Sequence, residues 1–260
     1  EDFKVWTEIA DRTYIYDYTI NFLFSQQFFS NFEYMQETMK YLCENIQGCV
    51  LGYTQSDEIT LILIDYKKLT SSAWFDYEVQ KMCSIAASMA TMAFNKAFEK
   101  EVNGWKTKTF PTSYLGYLNA PITNDDVKLL NTYNEAINKG AMFDARCFNI
   151  PKEEVANLIY WRQLDAARNS VQMVGQAYFS HKELQNKSCN QIQEMLFQER
   201  DINWNDFPTH QKRGSCCIKV PVKINEGTEN ETIRNKWVID NEIPIFTQDR
   251  NYVERNFKGE

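Results

Sequence analysis

The apolar positions of this 260-residue chain follow two different periods, and the switches between them outline the fold. Met35, Met39, Leu42 and Ile46 recur at i, i+4, i+7 and i+11, the stripe of an amphipathic helix over about 34–47, with Gly48 as its stop. Residues 49–55 and 58–65 are instead short, apolar and β-branched. With Ser56-Asp57 between them they predict a hairpin. A helical period returns over 75–98, where Val79, Met82, Ala86, Ala90, Ala93 and Ala97 share one face. Those small residues allow the helix to lie close against a sheet.

Beyond it, the stretch 100–126 carries Gly104, Pro111, Gly116 and Pro121 and reads as loop. A helix follows over about 125–138, ended by Gly140. "MFDARCFNI" is a strand candidate, and Pro151 then suits a helix N1 position, with Glu153 and Glu154 favourable in the first turn. That helix runs to about Phe179. Ser188 and Gln191 form a capping box for a helix over 189–199. Two last strands, 215–224 and 232–239, flank the polar turn "NEGTENE". The pattern predicts one α+β domain over 1–260, an antiparallel sheet with helices packed on one face, and a C-terminal β-hairpin extension over about 215–260.

Composition narrows the function classes. Apolar residues make up 43% and charged residues 24%, ordinary for a globular chain, and the formal charge of −7 offers no global basic field for nucleic acid. Any RNA contact must come from a local patch. No apolar run reaches about 18 residues and no signal-peptide pattern is present, which argues against a membrane or secreted protein, although the chain opens on Glu1 rather than Met. The seven cysteines are odd in number and form no C-x-x-C, so they read as reduced, packed residues of a cytoplasmic protein. In the vicinal pair Cys216-Cys217, side chains alternate across a strand and one is expected in the core. His181 and His210 lack zinc spacing and read as surface or loop residues.

The chemistry concentrates at "GYTQSDEITLILID", residues 52–65, where Asp57 and Glu58 interrupt two apolar strands. A carboxylate there must be solvated, paired or bound to a cation. One reading is a solvated turn aspartate. The other is a Mg²⁺ ligand in a nucleotidyl-transfer site, since hard cations take aspartate oxygens and polarise phosphate. The helix-then-hairpin order matches the palm of nucleic-acid polymerases.

Five ungapped blocks, "GYTQSDEITLIL", "FDARCFNIPKEEV", "YWRQLDAARNS", "AYFSHKEL" and "LFQERDINWNDFPTHQKRG", together resemble the tRNA-His guanylyltransferase family. They are similar above all to its bacterial and archaeal relatives that extend tRNA 5′ ends by 3′–5′ polymerisation. The resemblance covers most of residues 35–220. It implies a polymerase-palm-like α+β fold, Mg²⁺ as cofactor, GTP or another NTP as substrate, and tRNA, not DNA, as the nucleic-acid partner. It also implies a homodimer or homotetramer. Asp57 would be the second of two metal-binding aspartates, and Ser56 and Glu58 would share its site.

Two departures stand out. Where eukaryotic members carry a His and several Asn after "WRQ-x-D", this chain has Ala167, while Asn169 is kept. Asn169 then helps orient the nucleotide or the RNA end, and the broader polymerase-like relatives fit better than strict tRNA-His specificity. In addition, the family's first strand ends in Arg-x-Asp-Gly, and no Asp-Gly occurs here. Alignment places Phe24 and Ser25 at those positions, Asp17 is a poor substitute, and "TINFLFSQQFF" would supply the strand. Either a compensated frameshift altered residues 14–34, or the site is degenerate. The second case implies a catalytically impaired tRNA- and NTP-binding homologue.

Other residues carry weaker signals. Lys96, Lys100, Lys106 and Lys108 surround Trp105, and Lys212-Arg213 ends a turn, so either patch suits a phosphate backbone or a solvated loop. Asp144 either comes near the metal acids from a neighbouring strand or, in the preferred reading, forms a plain ion pair with Arg146 or Arg162. Trp161 and Arg162 are expected to fix their helix against the sheet.

Overall fold

The computed structural model describes residues 5–11, 33–65, 70–109, 123–224 and 232–257. Six strands form one sheet among these residues: β1 (Val5–Asp11), β2 (Cys49–Gln55), β3 (Glu58–Leu63), β4 (Phe143–Asn149), β5 (Ser215–Ile224) and β6 (Thr232–Asp240). Their order is β4-β1-β3-β2-β5-β6, and every pairing is antiparallel. The expected α+β class with an antiparallel sheet holds. The last two strands extend the sheet itself, because β5 pairs with β2 through Gly52–Cys217 and Thr54–Ser215.

One face of the sheet is covered as the pattern predicts. Helix α1 (Glu33–Asn45) buries Met35, Met39, Leu42 and Cys43, and α2 (Val79–Thr109) adds Met82, Ala86, Ala90 and Phe94. These meet Ile59, Leu61 and Leu63 of β3 and Cys217 of β5. Helix α1 comes close enough that a Cβ on Gly52 would lie 2.5 Å from Cys43 Sγ and 2.9 Å from Met39 Cγ, so any side chain in β2 at that point would push these core side chains aside. After α3 (Asn124–Lys139), the chain enters β4 and then α4 (Val155–Tyr178).

The opposite face is covered too, which the sequence pattern did not assign. There α4 contributes Val155, Ala156 and Ile159, and the C-terminal segment contributes Ile243, Phe246, Tyr252, Val253 and Phe257. They pack on Leu51, Tyr53, Ile62, Cys216 and Ile218. Cys216 and Cys217 are therefore both core, one beneath each layer, and the expectation of a single buried cysteine is corrected. Every residue of β2 is buried, the signature of a strand enclosed on both faces.

Two element ends differ from expectation. The helix foreseen from Phe75 begins at Val79, because Phe75, Asp76 and Tyr77 take left-handed φ values of 52°, 50° and 62°. Tyr77 donates its hydroxyl to Asp65, an anchor that holds this unfavourable backbone. At its far end α2 continues to Thr109 through residues expected as loop. Val102 is buried against Tyr133 of α3 there, and that packing outweighs the low helix propensity of Gly104. By contrast, after the single helical turn α5 (His181–Leu184), the expected capping box holds Cys189–Arg200 (α6), with Ser188 Oγ and Gln191 bonded reciprocally.

The segment 19–29, with Phe24 and Ser25, and Asp17 lie outside the described residues, as does the whole turn 225–231. The strand beside β3 is Val5–Asp11, with Ala10 opposite Glu58, and β2 takes the other edge of β3. The expectation that 19–29 supplies the strand next to the Asp57 hairpin is therefore corrected.

Candidate functional site

The predicted hairpin closes on the pair Gln55–Glu58, leaving Ser56 and Asp57 as a two-residue turn. Ser56 carries the positive φ, 50°, which such a tight connection requires. Thr54 Oγ1 donates to the carbonyl of Glu58 at 2.9 Å and tightens the end of the ladder. Asp57 stands half-buried on the turn, and among the described residues its carboxylate makes no hydrogen bond or ion pair. Glu58 is held differently. Its Oε2 accepts from Gln55 Nε2 and from Arg162 Nη1, both at 3.0 Å.

Arg162 comes from α4, and the helical period carries the same face onward to Ala166, Asn169 and Ser170. Asn169 and Ser56, named separately from the sequence, line one pocket with Gln55. Its remaining wall is Trp204, Phe207 and His210, contributed by a 3-10 turn (Trp204–Asp206) and the short α7 (Thr209–Arg213). The space encloses about 510 Å³, open solvent included.

Several hydrogen bonds fix that wall. Ser170 Oγ donates to the carbonyl of Lys212 at 3.2 Å and accepts from Trp204 Nε1 at 3.2 Å. Tyr53 donates its hydroxyl to the carbonyl of Arg213 at 2.7 Å. Gly214 then turns back into β5 with φ 80°, where a Cβ would lie 2.4 Å from the carbonyl oxygen of Thr54. Burial lowers the His210 imidazole below its usual range, opposed by the Glu242 carboxylate.

Among the described residues no group of three or more His, Cys, Asp or Glu side chains could hold a metal ion. The donors at the turn are the Asp57 carboxylate and the Ser56 hydroxyl. Hard oxygen donors of this kind suit Mg²⁺, which commonly rests on one or two carboxylates and completes its shell with substrate phosphates.

Comparison with known proteins places this arrangement. The model of the family described as Thg1, tRNAHis guanylyltransferase, matches residues 28–151. A bacterial tRNA(His) guanylyltransferase (Thg1)-like protein, solved in complex with ATP, is 35% identical with a TM-score of 0.71, over 98% of this chain and 90% of that one. The chain belongs to the tRNAHis guanylyltransferase family. A structure of a bacterial Thg1-like protein in complex with GTP gives 33% identity and a TM-score of 0.70, again over 98% and 90% of the two chains. Protein R259 of Acanthamoeba polyphaga mimivirus is 29% identical over 203 residues, 74% of this chain. This chain spans 62% of the length of that viral relative.

Within this family member, other residues singled out from the sequence separate. Trp105 packs edge-on against Tyr133 at 5.1 Å, and Lys100 pairs with Glu37 at 2.9 Å, so these two residues join α2 to α3 and α1. Asp144 and Arg146 lie 3.8 Å apart on β4. Arg162 does fix α4 to the sheet, whereas Trp161 is 63% exposed and does not. Sequence reasoning missed Trp204, Phe207 and His210 as a wall of the pocket. The available signal was a cluster of aromatic residues in the polar segment "NWNDFPTH". No helix among the described residues is long and apolar enough to cross a membrane.

Proposed function

We propose that the chain is a Mg²⁺-dependent nucleotidyltransferase that adds GTP or another NTP to the 5′ end of tRNA in the 3′–5′ direction. The observation that carries this reading is that Ser56 and Asn169 meet in one pocket beside Asp57, in a chain of the tRNAHis guanylyltransferase family. Asp57 would hold Mg²⁺ together with the phosphates of the nucleotide. Bound there, the ion polarises phosphate and favours deprotonation of the attacking hydroxyl. Ser56 contacts the triphosphate, and Asn169 orients the nucleotide or the RNA end. Glu58, pinned by Arg162 and Gln55, positions the turn. The bond formed joins the 3′-hydroxyl oxygen of the incoming nucleotide to the activated 5′ phosphate of the RNA. The bond broken is the phosphoanhydride that activates that phosphate, whose outer portion leaves (pyrophosphate from a 5′-triphosphate), and the hydroxyl proton passes to solvent. A homodimer or homotetramer working in the cytoplasm completes the proposal.

The missing Asp-Gly favours one second reading, a homologue that binds tRNA and NTP without efficient chemistry. Incubation with 5′-truncated tRNA, labelled GTP and Mg²⁺ separates the two. Incorporation at the 5′ end is the expected result, and tRNA binding without incorporation supports the second reading.

A further inference from the structure

Helix α4 turns Val155, Ala156, Ile159, Ala166 and Val174 inward, and the helical period calls for an apolar side chain between Ile159 and Ala166. Gln163 stands there instead, only 5% exposed. Both ends of its amide are used. Nε2 donates to the carbonyl of Pro244 and Oε1 accepts from the N–H of Phe246, each at 2.9 Å. A buried glutamine stabilises little more than a packed Leu or Met, because its hydrogen bonds only replace bonds to water. What it adds is direction. Two bonds to one backbone stretch fix how far α4 slides along the sheet.

The stretch that Gln163 grips is tied in the same way to the other elements around the pocket. Asn241 Oδ1 accepts from Gln36 Nε2 at 2.7 Å, and that amide also donates to Ser215 Oγ at the start of β5. Glu242 Oε2 accepts from Thr209 Oγ1, the first residue of α7, at 2.6 Å. The Phe246 ring meets Tyr53 of β2 edge-on at 6.2 Å, and Tyr53 holds the far end of α7 through the Arg213 carbonyl. Residues 241–246 thus touch α4, α7 and β2, the elements that carry Asn169, His210 and Gln55 to the pocket.

We propose that Gln163 is a positioning residue for the transfer reaction, acting through the stretch 241–246 and not on the substrate. By locking α4 to Pro244 and Phe246 it sets how far Asn169 stands from the Ser56-Asp57 turn. Glu242 sets α7 from the same stretch. The inference rests on the nucleotidyl-transfer reading for the reaction that this alignment serves. Displacing a substrate-orienting group by about 1 Å costs up to about a hundredfold in rate, so a polar tie in the core has a clear use.

The test uses the full chain with 5′-truncated tRNA, labelled GTP and Mg²⁺. Gln163→Met keeps the volume and removes both bonds. It should lower kcat about tenfold, leave KM for GTP within about threefold, and keep a cooperative unfolding transition. Glu242→Ala should also slow addition, whereas Glu242→Gln keeps an acceptor for Thr209 and should restore the rate. That pair decides the matter if Gln163→Met does not fold. The proposal is overturned by a folded Gln163→Met at full kcat, by Glu242→Ala at full kcat, or by Glu242→Gln as slow as Glu242→Ala. If the unaltered chain adds no nucleotide, the proposed function fails on its own, and deuterium exchange tests the tie alone. Faster exchange over 166–170 in Gln163→Met at unchanged global stability supports the tie, and unchanged exchange overturns it.

Discussion

Arg162 and Glu58 meet at 3.0 Å with only 17% and 27% of their side chains exposed, so α4 is tied to the strand end next to Asp57. A pair so enclosed behaves differently from a surface ion pair, because removing one partner leaves a poorly solvated charge. Arg162→Ala should lower stability by about 1–3 kcal/mol. In a double-mutant cycle with Glu58→Gln, urea unfolding should give a coupling above about 0.5 kcal/mol. Simple additivity would reduce the pair to a surface contact.

Asp57 and Ser56 share a turn but should respond in opposite ways. Asp57→Ala should abolish Mg²⁺-dependent nucleotide addition while leaving the unfolding midpoint nearly unchanged, since its carboxylate supports no internal bond. Ser56→Gly relieves a left-handed residue and should stabilise by about 0.5 kcal/mol, yet raise the KM for NTP through loss of the hydroxyl. If Asp57→Ala leaves addition intact, the acidic hairpin is a solvated turn and nothing more.

Restoring the family motif tests the sequence alignment independently. Phe24→Asp combined with Ser25→Gly should increase Mg²⁺-dependent addition by supplying a second carboxylate. An unchanged rate in a folded, tRNA-binding variant would show that the motif belongs elsewhere in the chain.

The lowered proton affinity of His210 carries a sign. Burial favours the neutral ring in the folded chain, so the unfolded chain binds the proton more tightly. Stability is therefore full above the ordinary histidine value of 6.5 and falls as pH drops through the lower folded value. Urea midpoints measured from pH 7.5 down to 5 should decline, and His210→Gln should flatten that part of the decline. An unaltered slope in the variant would assign the acid loss to other groups.

Cys216 and Cys217 offer a check on the two-layered core. Either change to serine should cost about 1–3 kcal/mol, because each buries a hydroxyl under a different layer. Burial also pushes the Cys216 thiol up, so it should stay unreactive toward a disulfide reagent until the chain unfolds. Rapid native-state labelling at both positions would contradict the enclosed sheet.

Much of this was legible in the sequence because local patterns carried it. The 3.6 period of Met35, Met39 and Leu42, the Ser56-Asp57 turn and the Ser188–Gln191 capping box each act within a few residues. What was not legible depends on distant contacts. The left-handed run at Phe75–Tyr77 is held by Asp65, and the extension of α2 by Tyr133. The far wall of the pocket lies more than thirty residues beyond Asn169, on a 3-10 turn and a five-residue helix too short to show any period. Covering of the second sheet face was hidden for a related reason. Ile243, Phe246 and Phe257 come from a segment whose only helix has four residues, Asn251–Glu254.

The full enclosure of β2 bears on where the molecule can breathe. Its amides are roofed on both sides and flanked by β3 and β5, so their exchange with deuterium requires opening on the scale of the whole sheet. The turn at Ser56-Asp57 thus sits at the tip of a stiff beam. The facing wall at 204–213 is a 3-10 turn and a five-residue helix outside the strand ladder, held by bonds to Ser170, Tyr53 and Glu242 and by packing of Trp204 and Phe207 on Val171, Val174 and Leu196. It is the more compliant partner. A ligand arriving in the pocket would find the carboxylate already in place, and whatever adjustment it demands would fall on the aromatic side.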